Sequence, residues 1–146
     1  MKVIAISTDR KIFEEGSAVR GRMIEYGRLF ERLDIIIFSK KSSPDSAKAT
    51  PGKQQSVASI KLSENVFVYP TNSKNRLFYI FDALKIAHRL TTNYKLLTTN
   101  LVISSQDPFE TGLVGLLLKL RYKLPLQIQL HTDFTNKYFM CWSFFN

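Results

Sequence analysis

The sequence predicts an α/β fold, a mainly parallel sheet of about five strands wrapped by flanking helices. Three observations carry this. Short apolar runs recur along the chain, "KVIAIS" at 2–7, "DIIIFS" at 34–39, "NVFVYP" at 65–70, "NLVISS" at 100–105 and "PLQIQLHT" at 125–132, each suited to a strand covered on its faces. Stretches with helical periodicity separate several of them. Cap and turn residues mark the boundaries, and alternation of this kind favours parallel pairing with right-handed crossovers. The pattern is that of a Rossmann-like half.

Taken in order, the first strand is near-continuously apolar and runs into the polar loop "STDRKIFEEGS" at 7–17. From Ser17 to Leu33, Val19, Met23, Tyr26, Phe30 and Leu33 step by four, three, four and three, which predicts one helical stripe with Ser17 as its N-cap. After the second strand, the Ser/Lys/Pro-rich stretch 40–59 has no periodicity and reads as a surface loop. Pro70 closes the third strand. Leu77, Phe81, Leu84 and His88, widened by Phe78, Ile80 and Leu90, predict a helix over about 74–94 that packs on the sheet. On that stripe His88 is a core or boundary residue with no assigned function. In "QDPFETGLVGLLLKLRYK", Asp107 is placed as N-cap, Pro108 at the first helical position and Glu110 three beyond the cap, while Gly112 and Gly115 permit close packing on the sheet. In the fifth strand Leu126, Ile128 and Leu130 alternate with Gln127, Gln129 and His131.

Composition narrows the classes of function. A chain of 146 residues is the size of one domain, and 45% hydrophobic with 23% charged residues is a globular balance. No stretch approaches the roughly 20 apolar residues of a membrane span, and the N-terminus is too short for a signal-peptide core, so the expected location is cytoplasmic. A single cysteine, Cys141, with only His88 and His131 beside it, supplies no disulfide and no zinc ligand set. No metal is expected. The net charge of +9 favours anionic partners, including peripheral contact with an anionic membrane face, without identifying one. Walker and GxGxxG loops are absent, and so are nucleic-acid-binding motifs, so no specific nucleic acid is expected.

Ligands of such sheets lie outside the carboxyl ends of the strands, which singles out the loops after the first, fourth and fifth strands. In the first, Gly16 and Ser17 form a βα turn whose glycine lets backbone approach a ligand and whose helix presents free N–H groups. Arg10, Lys11 and Arg20 cluster near it and suit a phosphate. Asp107 and Glu110 have a sufficient role in starting a helix, with ligand contact as an addition. His131, followed by Thr132 and Asp133, ends a strand at the same edge, where a histidine serves either as a hydrogen-bonding group or as a catalyst.

Two separated segments, "MKVIAISTDRKIFEEGSAVRGRMIEYG" and "LVISSQDPFETGLVGLLLKLRYKLPLQIQLHTDF", and the order in which they fall resemble the N-terminal domain of family-4 glycosyltransferases, retaining enzymes of the GT-B type, with "SQDPFETGLVG" followed by "HTDF" the most specific part. The likeness covers nearly all of residues 1–139 in order. It implies one half of a GT-B fold that mainly receives a glycan or lipid-linked acceptor. A second Rossmann-like domain would bind the nucleotide-sugar donor, a co-substrate rather than a cofactor, and transfer would take place between the domains without a metal. Carried over by residue, Gly16 and Ser17 would belong to the loop approaching the donor phosphates, and His131 would be the catalytic histidine of the cleft. Arg10, Arg20, Asp107, Glu110, Thr132 and Asp133 would be acceptor or cleft contacts. The closing run "KYFMCWSFFN" departs from the family pattern after Tyr138, with 139–146 an atypical tail, so the resemblance implies an incomplete enzyme, inactive without its donor domain. The alternative reading is a small α/β module that binds an anion or nucleic acid without catalysis.

Overall fold

The computed structural model describes residues 1–41, 59–95 and 100–130. Within these, six strands form a single sheet: β1 (Lys2–Ser7), β2 (Arg32–Ile37), β3 (Ile60–Lys61), β4 (Val66–Pro70), β5 (Leu101–Ser105) and β6 (Leu126–Ile128), in the order β3-β4-β2-β1-β5-β6. All neighbours are parallel except β3, which runs antiparallel along the outer side of β4. The α/β prediction therefore holds, with a sixth strand that sequence reading missed because two residues are too few to show a period. Three helices flank the sheet: α1 (Ala18–Gly27), α2 (Tyr79–Lys95) and α3 (Glu110–Tyr122).

Strand alternation divides the core into two layers. Val3, Leu33, Ile35, Ile37, Val66 and Val68 face α1 and pack with Val19 and Ile12. Ile4, Ile6, Ile36, Phe38, Tyr69 and Ile103 face the opposite way and pack against α2 and α3. With both faces covered, the central strands are apolar at nearly every position, as their sequences required.

The helices depart from expectation in their ends and faces. The first is not a helix to Leu33: it stops at Gly27, and Leu33 already pairs with Val3 in β2, which starts at Arg32. Two side-chain bonds enforce the stop, because Asn65 Nδ2 donates to the carbonyls of Gly27 (2.5 Å) and Phe30 (2.9 Å). Ser17 does cap this helix, accepting from the Arg20 N–H at 3.2 Å. The predicted α2 stripe is only partly buried: Leu90 is in the core and Ile80 and Leu84 pack half-buried against it, but Leu77, just before the helix, and Phe81 are 80% and 61% exposed, and His88 is exposed beside Tyr122, which it meets through Nδ1 and the phenol. The buried face is Tyr79, Ala83, Ile86, Ala87 and Leu90. Both stripes have helical spacing, and the one with two alanines won because small side chains let the helix axis approach the sheet. The third helix begins at Glu110, with Asp107 accepting from the Phe109 N–H (2.9 Å) in the turn before it rather than capping it, and Thr111 bonding back to the Asp107 carbonyl (3.0 Å). Gly115 sits against the sheet as expected, where a Cβ would lie 2.4 Å from Ser105 Oγ, whereas Gly112 lies against the turn before the helix, where a Cβ would come 2.9 Å from the Asp107 carbonyl oxygen. In β6 only Leu126 packs on the core, since Ile128 and Leu130 are 41% and 61% exposed at the sheet edge. Of the predicted 40–59 loop, 42–58 lies outside the described residues, as does the 139–146 tail.

Between β2 and α2 lies a buried polar knot. Asp34, fully buried, accepts from Arg32 Nε (3.2 Å to each oxygen), the Tyr69 hydroxyl (3.0 Å) and the Tyr94 hydroxyl. The Arg32 guanidinium also lies over the Phe67 ring, 4.1 Å from its centroid. Burial first, then the neighbouring Asp34 charge, pushes Tyr69 up to about 12, and burial with the bond to Asp34 raises Tyr94 as well. A phenol whose folded value lies above its unfolded one adds stability that is fully present below the ordinary tyrosine range and is lost as pH rises through the folded value. Urea midpoints are thus expected to fall between about pH 10 and 12, with a shallower fall in Tyr69→Phe. Equal slopes in the two proteins would remove Tyr69 from this linkage.

Candidate functional site

Topology selects one edge. The chain moves from β1 through β2 to β4 on one side of the sheet and returns across β1 to β5 and β6 on the other, so the direction reverses between β1 and β5. Their carboxyl ends, and the loops 8–17 and 106–109 that leave them, form the crevice where open α/β sheets take ligands.

Local hydrogen bonds shape this crevice. The Ser7 hydroxyl and the Thr8 N–H (3.2 Å) both donate to Gln106 Oε1, which ties the two loops together at their roots. Asp9 Oδ1 accepts from the Lys11 N–H (3.1 Å) and starts a 3₁₀ turn over Arg10–Phe13, whose Ile12 is driven into the α1-side core. That anchoring leaves Arg10 and Lys11 outside. Arg10 is braced: its Nε donates to the Phe38 carbonyl (3.0 Å) and its Nη2 to the Tyr79 hydroxyl (2.9 Å), linking the end of β2 to the start of α2. The Phe38 and Tyr79 rings lie 5.4 Å apart beneath it.

Around Arg10 opens a cleft of about 560 Å³ whose charged lining is Asp9, Arg10, Lys11, Glu14, Lys40, Arg76 and Glu110. Among the described residues none of its cations is in an ion pair. A second cleft of about 310 Å³ runs on the other face, between α1 (Arg22, Met23) and the part of the sheet that α1 does not cover, where Val102, Ser104 and Gln127 form the floor. It reaches the same crevice at Ser7 and Gln106.

The sequence-predicted residues fall into three groups. Arg10 and Glu110 meet in the larger cleft with Lys11. Gly16, Ser17, Arg20 and Asp107 line neither cleft. Gly16 has φ +80 and an exposed position with open space where a Cβ would stand, so its glycine serves backbone conformation first. Ser17 is occupied by the helix start, donating to the Lys11 carbonyl (2.6 Å) as well as accepting from Arg20. His131, Thr132 and Asp133 lie outside the described residues. Sequence reading missed Lys40, Arg76 and Tyr79. Lys40 opens the stretch read as a surface loop and Arg76 falls within the predicted 74–94 helix, and only strand order sets them on one cleft with Arg10. Among the described residues no group of three or more histidine, cysteine, aspartate or glutamate side chains is placed to hold a metal, and no helix is long and apolar enough to cross a membrane. Compared with known proteins, the chain matches no family model and no curated protein.

Proposed function

We propose that this domain is the acceptor-side half of a retaining GT-B glycosyltransferase, working with a domain that binds a nucleotide sugar. The observation that supports it is the strand order, which gathers the loop carrying Arg10 and the "SQDPFETG" loop carrying Glu110 on one cleft at the switch point of the sheet. Retaining transfer must stabilise a cationic sugar and a departing diphosphate, work done by preorganised dipoles and charges. In this reading the braced Arg10 and the cleft carboxylate Glu110 orient the acceptor, and His131 stands near the transferred sugar. Gly16 and Ser17 serve the donor phosphates only if that second domain brings them to their exposed turn.

The test is sugar transfer by this chain joined to a nucleotide-sugar-binding domain. His131→Ala is expected to lower turnover by about 100-fold or more with an unchanged melting temperature. Normal specific activity would remove His131 from the site. A second reading, an anion-binding module without catalysis, is favoured by the unpaired cations of the cleft. Strongly salt-dependent binding to random DNA or RNA, with no glycan binding at all, would replace the transferase reading with a nucleic-acid one.

A further inference from the structure

We infer that the larger cleft is a site for a phosphate-bearing polyol, its phosphate held at the β2/β4 end by Lys40 and Arg76 and its hydroxyls at the β5 end by Glu110. The inference deepens the acceptor reading, and rests on it only in naming this ligand an acceptor.

Strand order distributes the charges of the cleft. From one side to the other, Arg76 follows β4, Lys40 follows β2, Arg10 and Lys11 follow β1, and Glu110 follows β5. The remaining acids, Asp9 and Glu14, belong to the β1 loop with Arg10 and Lys11, and Asp9 is engaged by the Lys11 N–H. The β2/β4 end therefore carries two cations and, among its lining residues, no carboxylate. Unpaired cations converging on a concave surface are matched by an anion with several acceptor oxygens, and phosphate fits this better than a single carboxylate. Arg10 stands between these ends with two of its N–H groups fixed on Phe38 and Tyr79, so its orientation is set before a ligand arrives. At the far end a carboxylate repels phosphate but accepts well from hydroxyls. A ligand with phosphate at one end and hydroxyls at the other matches both ends. A soluble sugar phosphate and a phospholipid headgroup share this chemistry.

The experiment measures binding to the full chain of glucose, glucose 1-phosphate and inorganic phosphate, and of phosphatidylcholine vesicles with and without phosphatidylglycerol. Glucose 1-phosphate is expected to bind more tightly than glucose if the source is soluble, and phosphatidylglycerol vesicles to recruit the chain if it is a lipid. In either case Lys40→Ala/Arg76→Ala is expected to weaken that binding about tenfold or more. Both side chains are exposed and in no ion pair, so this variant keeps the fold. Glu110→Gln is expected to weaken glucose 1-phosphate or the glycerol headgroup and to leave inorganic phosphate unchanged. Lys119→Ala/Arg121→Ala, on the exposed end of α3, controls for attraction to the net charge alone. The inference is overturned if neither phosphorylated probe binds, if the Lys40/Arg76 variant binds like the parent, or if the α3 variant loses as much. Glycan binding that ignores phosphate would sink this inference and leave the acceptor reading intact, whereas phosphate binding at the cleft without sugar transfer would do the reverse.

Discussion

Asp34→Ala is expected to lower the unfolding free energy by about 3–5 kcal/mol, a large fraction of the roughly 5–15 kcal/mol a native domain possesses. The carboxylate is fully buried and organises three donors, Arg32, Tyr69 and Tyr94, that come from β2, β4 and α2. Its removal leaves the two phenols without their acceptor and strips the Arg32 guanidinium of its ion pair. Arg32 is partly exposed and recovers water, so the loss falls chiefly on the two tyrosines and on the cavity. Asp34→Asn keeps the shape and one acceptor oxygen and is expected to lose less. Urea unfolding followed by circular dichroism measures both, and a loss below about 1 kcal/mol for the alanine variant would show that the knot is bystander rather than brace.

Gly27→Ala is the second large effect, expected to cost about 1–3 kcal/mol although alanine is the better helix former by about 1 kcal/mol. The last residue of α1 rests directly on β4: a Cβ there would lie 2.1 Å from Val66 Cγ2, on a side chain that is itself fully buried and β-branched. Val66 is fully buried and stiff at χ1, so the helix is expected to lift, and lifting breaks the Asn65 bonds to the Gly27 and Phe30 carbonyls. The clash outweighs the propensity. Thermal unfolding is expected to drop by several degrees, about 2–4 °C for each kcal/mol lost, and Val66→Ala in the same chain should recover part of it by removing the opposing methyl. Strict additivity of the two substitutions would place the cost of Gly27→Ala elsewhere.

These two positions mark where sequence reading stops. The repeated apolar runs and the capped helix start at Ser17 were legible because they depend on local rules, a period of two or 3.6 and one side chain bonding a backbone three residues on. The end of α1 was not, since the residue that stops it, Asn65, lies 35 or more positions away. Nor was the full buried face of α2, because Leu77 and Phe81 satisfy the same periodicity as Tyr79, Ala83 and Ile86, and the choice depends on how closely the helix approaches the sheet. Asp34 read as the first residue of a strand and Arg32 as part of the preceding helix until the fold placed both in β2 and surrounded them with phenols. At the site, Arg10, Lys11 and Glu110 were visible as polar residues of strand-following loops, the one place where α/β sheets take ligands. Lys40 and Arg76 were not, because their meaning comes from β4 and β2 lying beside β1. The sequence by itself determined an α/β chain, its principal strands and the edge where chemistry belongs, all consequences of short-range periodicity. Only the tertiary structure decided which helix faces are buried and which cations share a cleft, because those depend on strand order and on contacts between residues distant in sequence.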